Sequence, residues 1–165
     1  MHPSFSISLP TPAETETLAR MLAEFCVPGF HFCLQGPLGA GKSTLARVII
    51  EQACGPQDEI PSPTFTLVQS YQANAGHEIW HMDLYRLSVA EDALALGIEE
   101  AFFEATCLIE WPDRLAEYTP LSAMLISLSI TGETSRQANI SVPSSYKSQL
   151  ASLFARLCPG AFHLS

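Results

Sequence analysis

The sequence predicts an α/β fold, with a mixed, mostly parallel central sheet and helices on both faces. Three observations carry that expectation. Strand-like and helix-like runs alternate along the chain, the pattern of a sheet layered with helices. A glycine-rich stretch, "LQGPLGAGKSTLARVII" (Leu34 to Ile50), joins a short apolar run to a helical one. Two pairs of alternating segments stand close together like hairpins, so some neighbouring strands run antiparallel. The chain has 165 residues, 47% of them hydrophobic. That suffices for a packed core in one domain spanning 1–165.

The elements follow in order. "SFSISL" (Ser4 to Leu9) alternates polar and apolar residues and reads as a first strand. "TPAETETLARMLAEF" reads as a helix. Thr11 can cap it, Pro12 suits its first position, and Glu14 completes a capping box. Leu18, Met21, Leu22 and Phe25 give it an apolar face, and Gly29 ends the segment. "FHFCLQ" is a short buried strand, and Lys42 to about Ala53 is the helix beyond the glycine-rich loop. "GPQDEIPSPT" is a loop, because its glycine and prolines disfavour regular structure. "FTLVQSYQ" and "HEIWHMDLYRL" alternate like strands around an "ANAG" turn. "SVAEDALALG" reads as a helix capped by Ser88 and stopped by Gly97, and "IEEAFFEA" as another. "TCLIEW" is a buried strand, "SAMLISLSIT" and "QANISV" form a second hairpin, and "SYKSQLASLFARLC" is a terminal helix.

Composition excludes several classes. The formal net charge is −9, with eight scattered Lys and Arg residues. A chain that grips RNA alone carries a basic patch or stripe, and none is visible. Cys26, Cys33, Cys54, Cys107 and Cys158 are odd in number and widely spaced. They fit free thiols in a reducing cytoplasm rather than a disulfide framework or a cysteine zinc site. No segment resembles a signal peptide or reaches the length of a membrane span.

Gly36, Gly41, Lys42 and Ser43 occupy the fixed places of G-x-x-x-x-G-K-S. In a strand–loop–helix setting this motif predicts a P-loop NTPase-like domain. The glycines let the backbone aim N–H groups at phosphate oxygens, and the following helix adds its positive end. Pro37, Leu38, Gly39, Ala40, Gly41, Lys42 and Ser43 are the expected cradle. Lys42 would reach the terminal phosphates, Ser43 would bind Mg2+, and Thr44 stands where a hydroxyl meets the α phosphate. Arg47 reads as a solvated helix residue.

Hydrolysis also needs acids and a switch contact. Thr64, in the proline-braced "SPTFT", is either a sensor of magnesium and γ phosphate or an ordinary loop threonine. His81, Asp83 and Tyr85 alternate on one strand face, which suits Asp83 to positioning water or to meeting magnesium through one of its ligands, or leaves it a satisfied surface aspartate. No cysteine or third histidine lies near His77 and His81, which argues against a metal site there. "CLIEWPD" runs from apolar residues into Glu110, a candidate magnesium ligand. Trp111 stands beside the nucleotide base or in the core. The absence of an N-K-x-D signature favours ATP over GTP.

Taken together, "GPLGAGKST", "SPTFTLVQSY", "HMDLYRL", "LGIEEAF" and "LIEWPDR", in this order, resemble the TsaE family. The resemblance implies the small ATPase of the bacterial machinery that makes threonylcarbamoyladenosine in tRNA. It implies ATP and Mg2+ as cofactors and TsaD and TsaB as partners, with tRNA met only through that complex. It implies Asp83 and Thr64 in catalysis beside Lys42 and Glu110, and Ser43 and Glu110 on the metal. It also implies that Thr17, in "ETETL", and Arg136, in "TSRQANI", approach the nucleotide. Two departures stand out: Pro37 where the family commonly has Asp, and Ser43 in place of the commoner threonine. Two other classes compete with this expectation. A small-molecule kinase would need an arginine-bearing lid, which is not evident, and a nucleotide switch would look similar in sequence.

Overall fold

The computed structural model describes residues 4–157 and 163–164. Eight strands form one sheet in the order β3-β4-β5-β2-β6-β7-β1-β8. They are β1 (Ser4–Leu9), β2 (His31–Gln35), β3 (Val68–Gln72), β4 (Glu78–Asp83), β5 (Thr106–Glu110), β6 (Met124–Ile130), β7 (Arg136–Ser141) and β8 (His163–Leu164). The central four, β4-β5-β2-β6, pair in parallel. Antiparallel partners flank them: β3 against β4, then β7, β1 and β8 beyond β6.

Among the described residues four α-helices accompany the sheet: α1 (Pro12–Leu22), α2 (Lys42–Cys54), α3 (Ile98–Glu104) and α4 (Lys147–Leu157). The strands alternate between two cores. Phe32, Leu34 and Leu108 join Leu18, Leu22, Leu45, Ile49, Leu150 and Phe154 from α1, α2 and α4. Cys33, Met82, Cys107 and Ile109 join Ile98, Ala101 and Leu115 on the opposite face. Period-two alternation explains the division, because each central strand is apolar on both sides.

The helix start at Thr11 behaves as its sequence predicts. The Thr11 backbone N–H donates to Glu14 Oε2 at 2.9 Å, the reciprocal half of a capping box. Other expectations need correction. "SVAEDALALG" is not an α-helix capped by Ser88. Ala90–Leu96 winds as a 3-10 helix whose N-cap position is Val89, without a side-chain cap. Gly97 does stop it, at φ 82°, and α3 starts on the same residue. The strand expected over "FTLVQSYQ" begins only at Val68, because Leu67 takes φ 64° and turns the chain out of the sheet. Pro112–Tyr118 winds as short 3-10 turns broken by a kink at Ala116, where φ is 48°, a feature the sequence pattern does not predict. Cys26, Cys33, Cys54 and Cys107 are buried free thiols, and burial pushes Cys26 and Cys33 up to about 12. Cys158 lies outside the described residues.

Register builds the functional edge. In the parallel ladder Leu34 lies opposite Glu110, and Glu110 opposite Asp83. The carboxyl ends of β2, β5 and β4 therefore reach one edge together. The loop leaving β2 stands there beside two acids from remote parts of the chain, in the crevice outside the strand ends where open α/β sheets bind ligands.

Candidate functional site

The loop from Gly36 to Gly41 folds tightly because its glycines adopt backbone angles that L side chains avoid. Gly36, Gly39 and Gly41 have φ of 141°, 79° and 103°. Gly36 is constrained further by close approach. A Cβ there would lie 2.4 Å from the Leu128 carbonyl oxygen on β6. Gly41 caps α2, whose first turn is Lys42, Ser43 and Thr44. The free N–H groups of that turn and its positive dipole end face the loop.

A cleft of about 310 Å³ opens over this turn. Gly39, Gly41, Lys42, Ser43 and Thr44 line it from the loop side, and Ser62, Thr64, Asp83, Tyr85, Glu110 and Trp111 from the other. Lys42 Nζ donates to the Gly36 carbonyl at 2.7 Å and to the Pro37 carbonyl at 3.0 Å. It also lies 4.3 Å from the Trp111 ring centre, a cation–π contact. Burial lowers the Lys42 pKa, and the Glu110 and Asp83 carboxylates pull it back up. A desolvated cation held near two acids is poised to exchange carbonyl partners for a polyphosphate.

The acids are held differently. Glu110 is 2% exposed and accepts from the Ser43 hydroxyl at 2.9 Å through Oε2. Asp83, 5% exposed, accepts from Thr64 Oγ1 at 2.8 Å and Ser62 Oγ at 3.3 Å through Oδ2. The Tyr85 backbone N–H donates to its Oδ1 at 3.1 Å. Thr64 thus lies against Asp83, with Ser62 as a second hydroxyl on the same carboxylate. Trp111 takes φ 59°, a strained conformation for a bulky residue. That turn directly after Glu110 carries the half-buried indole onto Lys42 and within 5.0 Å of the Tyr85 ring. Of the two places expected for Trp111, base-side or core, the ring takes the edge of the core, partly buried against the apolar cluster of Ile109 and Leu115. The ring stands at the ammonium end of the cleft.

The expected cradle residues lie on the loop and the first turn of α2, but not all point their groups outward. Pro37 is exposed, has no N–H, and contributes its carbonyl to Lys42. The Ala40 N–H is used inside the loop, donating to Pro37 O at 3.1 Å. Leu38 is 68% exposed at the rim. A second cleft, about 200 Å³, continues along the loop from Gly39 and Thr44 to Thr15, Glu133 and Arg136. Arg136, at the start of β7, reaches it by donating from Nη2 to the Gly39 carbonyl at 3.0 Å.

Thr17 needs correction. It is exposed, and its hydroxyl donates to the Ala13 carbonyl of its own helix at 2.9 Å. Thr15 is the threonine that faces the loop, 5% exposed in the second cleft. Two residues turn an α-helix by roughly 200°, so one threonine must face away when the other faces in. Thr15 shares the buried face of α1 with Leu18 and Leu22. Ser62 was also missed, although it sits two residues before Thr64 in the same braced loop. His81 was weighed only as a metal ligand; it contacts Glu110 instead.

The donor set suits magnesium. Ser43 Oγ and Glu110 Oε2 are hard oxygen donors, with the Asp83 and Thr64 oxygens across the same cleft. Among the described residues no group of three or more His, Cys, Asp or Glu side chains could hold a metal by itself. No helix among the described residues is long and apolar enough to cross a membrane.

Comparison with known proteins places this geometry in a family. The model for "Threonylcarbamoyl adenosine biosynthesis protein TsaE" matches residues 9–139, which reaches past Arg136 into β7. The "tRNA threonylcarbamoyladenosine biosynthesis protein TsaE" of Rickettsia felis is 38% identical, covering 82% of this chain and 78% of that one. The protein of the same name in Bacillus subtilis is 33% identical over 76% of this chain and 78% of its own. A crystal structure of YdiB from Bacillus subtilis superposes with a TM-score of 0.76 at 27% identity. It spans 96% of this chain and 99% of that one.

Proposed function

Because the chain belongs to the TsaE family of tRNA threonylcarbamoyladenosine biosynthesis proteins, we propose that it is the magnesium-dependent ATPase subunit of the modifying assembly. It hydrolyses ATP to support turnover of the TsaD–TsaB transferase and meets tRNA only through that complex. The observation that carries this reading is one cleft holding a phosphate loop, a buried lysine and two acids from separate strands.

The roles follow from the contacts. Loop N–H groups, the α2 N-terminus and Lys42 bind the phosphates and neutralise their charge. Thr44, Thr15 and Arg136 flank the nucleotide where the second cleft continues. Asp83 orients the attacking water and accepts its proton as the bond to the γ phosphorus forms and the bond from that phosphorus to the bridging oxygen breaks, releasing ADP. Ser62 and Thr64 hold the Asp83 carboxylate until substrate takes over those contacts. Ser43 and Glu110 would hold Mg2+, which when bound would neutralise phosphate charge. The net charge of −9 supports a subunit that leaves the RNA to its partners.

The test is ATP hydrolysis by the chain alone and with TsaB and TsaD from the same source. Slow turnover alone that rises with the pair is the expected result. Turnover unmoved by the pair, with phosphoryl transfer to small hydroxyl compounds instead, would replace this reading with a kinase.

A further inference from the structure

His81 lies two residues before Asp83, and the proposed reaction gives it no part. Its imidazole is 1% exposed. In the β4–β5 register His81 lies opposite Leu108 and Asp83 opposite Glu110, so His81 and Glu110 are diagonal neighbours. His81 Nε2 lies 2.8 Å from Glu110 Oε1, while Glu110 Oε2 accepts from Ser43 at 2.9 Å. An ionised carboxylate only accepts, so facing it Nε2 must carry a hydrogen whatever the charge of the ring. His81 Nδ1 has no hydrogen-bond partner among the described residues. The side chain therefore directs its hydrogen bonding at one target, and a ring kept for packing alone would be better apolar.

We propose that His81 is a positioning residue. By donating Nε2–H to Oε1 it fixes the Glu110 carboxylate with Oε2 turned toward Ser43, the pair assigned to magnesium. The inference rests on that assignment. A glutamate has three rotatable bonds, and anchoring one oxygen stops the other from swinging off the ion. Partners behind a metal ligand characteristically act in this way.

The test is a magnesium titration of the affinity for a fluorescent ATP analogue, with each protein also measured in EDTA. The proteins are the full wild-type chain, His81→Leu and His81→Gln. All three are expected to bind equally in EDTA. His81→Leu raises the magnesium half-saturation point roughly tenfold or more. His81→Gln, which keeps a donor N–H at similar reach, recovers most of that loss. A magnesium response in His81→Leu equal to wild type overturns the assignment. So does a loss of the same size in EDTA, which marks packing only. A wild-type affinity that ignores magnesium removes the metal role of Glu110 and His81 together. A wild-type response matched by the leucine variant removes His81 alone. Should His81→Leu fail to fold, nitrogen NMR of the wild-type imidazole decides. A hydrogen on Nε2, with a signal that moves when magnesium joins the nucleotide, is expected. A hydrogen on Nδ1 alone overturns the proposal.

Discussion

Lys42 and Glu110 sit in the same cleft, and the proposed function gives them different parts of the ligand. Lys42→Ala removes the buried cation of this cleft and is expected to weaken nucleotide binding by about 2 kcal/mol or more, roughly 30-fold. Calorimetric titration with ATP checks it, and unchanged affinity would sink the phosphate-loop assignment. Glu110→Ala is expected to cost hydrolysis far more than binding in EDTA. Parallel losses would make Glu110 a folding residue. His31 carries a separate effect, away from the site. Burial pushes its imidazole down to about 4, against the partial support of a hydrogen bond to the Phe102 carbonyl at 3.2 Å. Its folded pKa lies below its unfolded value of 6.5, so the unfolded chain binds more protons in between. Its contribution is complete above pH 6.5 and is lost as pH falls toward about 4, on the order of 3 kcal/mol in all. Thermal melts across that window should fall less steeply for His31→Phe than for wild type. His77, also lowered by burial, remains in both proteins. An identical slope would assign the acid sensitivity elsewhere.

At the scale of elements, the phosphate loop depends on a strand it does not touch in sequence. The Leu128 carbonyl of β6 leaves no room for a methyl group at Gly36, whose φ of 141° already excludes most residues. Gly36→Ala should abolish nucleotide binding and lower the melting temperature, because a backbone atom in a paired strand cannot step aside. The start of α1 is more forgiving. Thr11→Ala removes a capping hydroxyl and is expected to cost about 1 kcal/mol, a drop of roughly 3 °C for a domain of this size. Nucleotide affinity should stay near wild type, since Thr11 does not line either cleft. The local rules that make these elements were readable in advance. The capping box, the Gly97 stop and the strand–loop–helix order each depend on residues within a few positions. Ala90–Leu96 was misread because capping and helical pattern name a helix without fixing its pitch.

For the whole molecule, parallel register does the assembling, and charge decides what the assembly can hold alone. Glu110 and Asp83 reach the phosphate loop because β5 and β4 pair in step with β2. With a net charge of −9, the isolated chain is expected not to shift tRNA in a mobility assay at physiological salt. Tight binding by the chain alone would contradict the division of labour proposed for its partners. The sequence by itself determined the phosphate loop, its helix, the α/β layering and the acids worth suspecting, because motif spacing and hydrophobic period are local properties. Only the tertiary structure decided that Thr15 rather than Thr17 faces the loop, that Trp111 covers Lys42, and that His81 holds Glu110. Those outcomes turn on which helix face packs inward and how distant strands align. Both are settled by burial across the whole sheet rather than by neighbours along the chain.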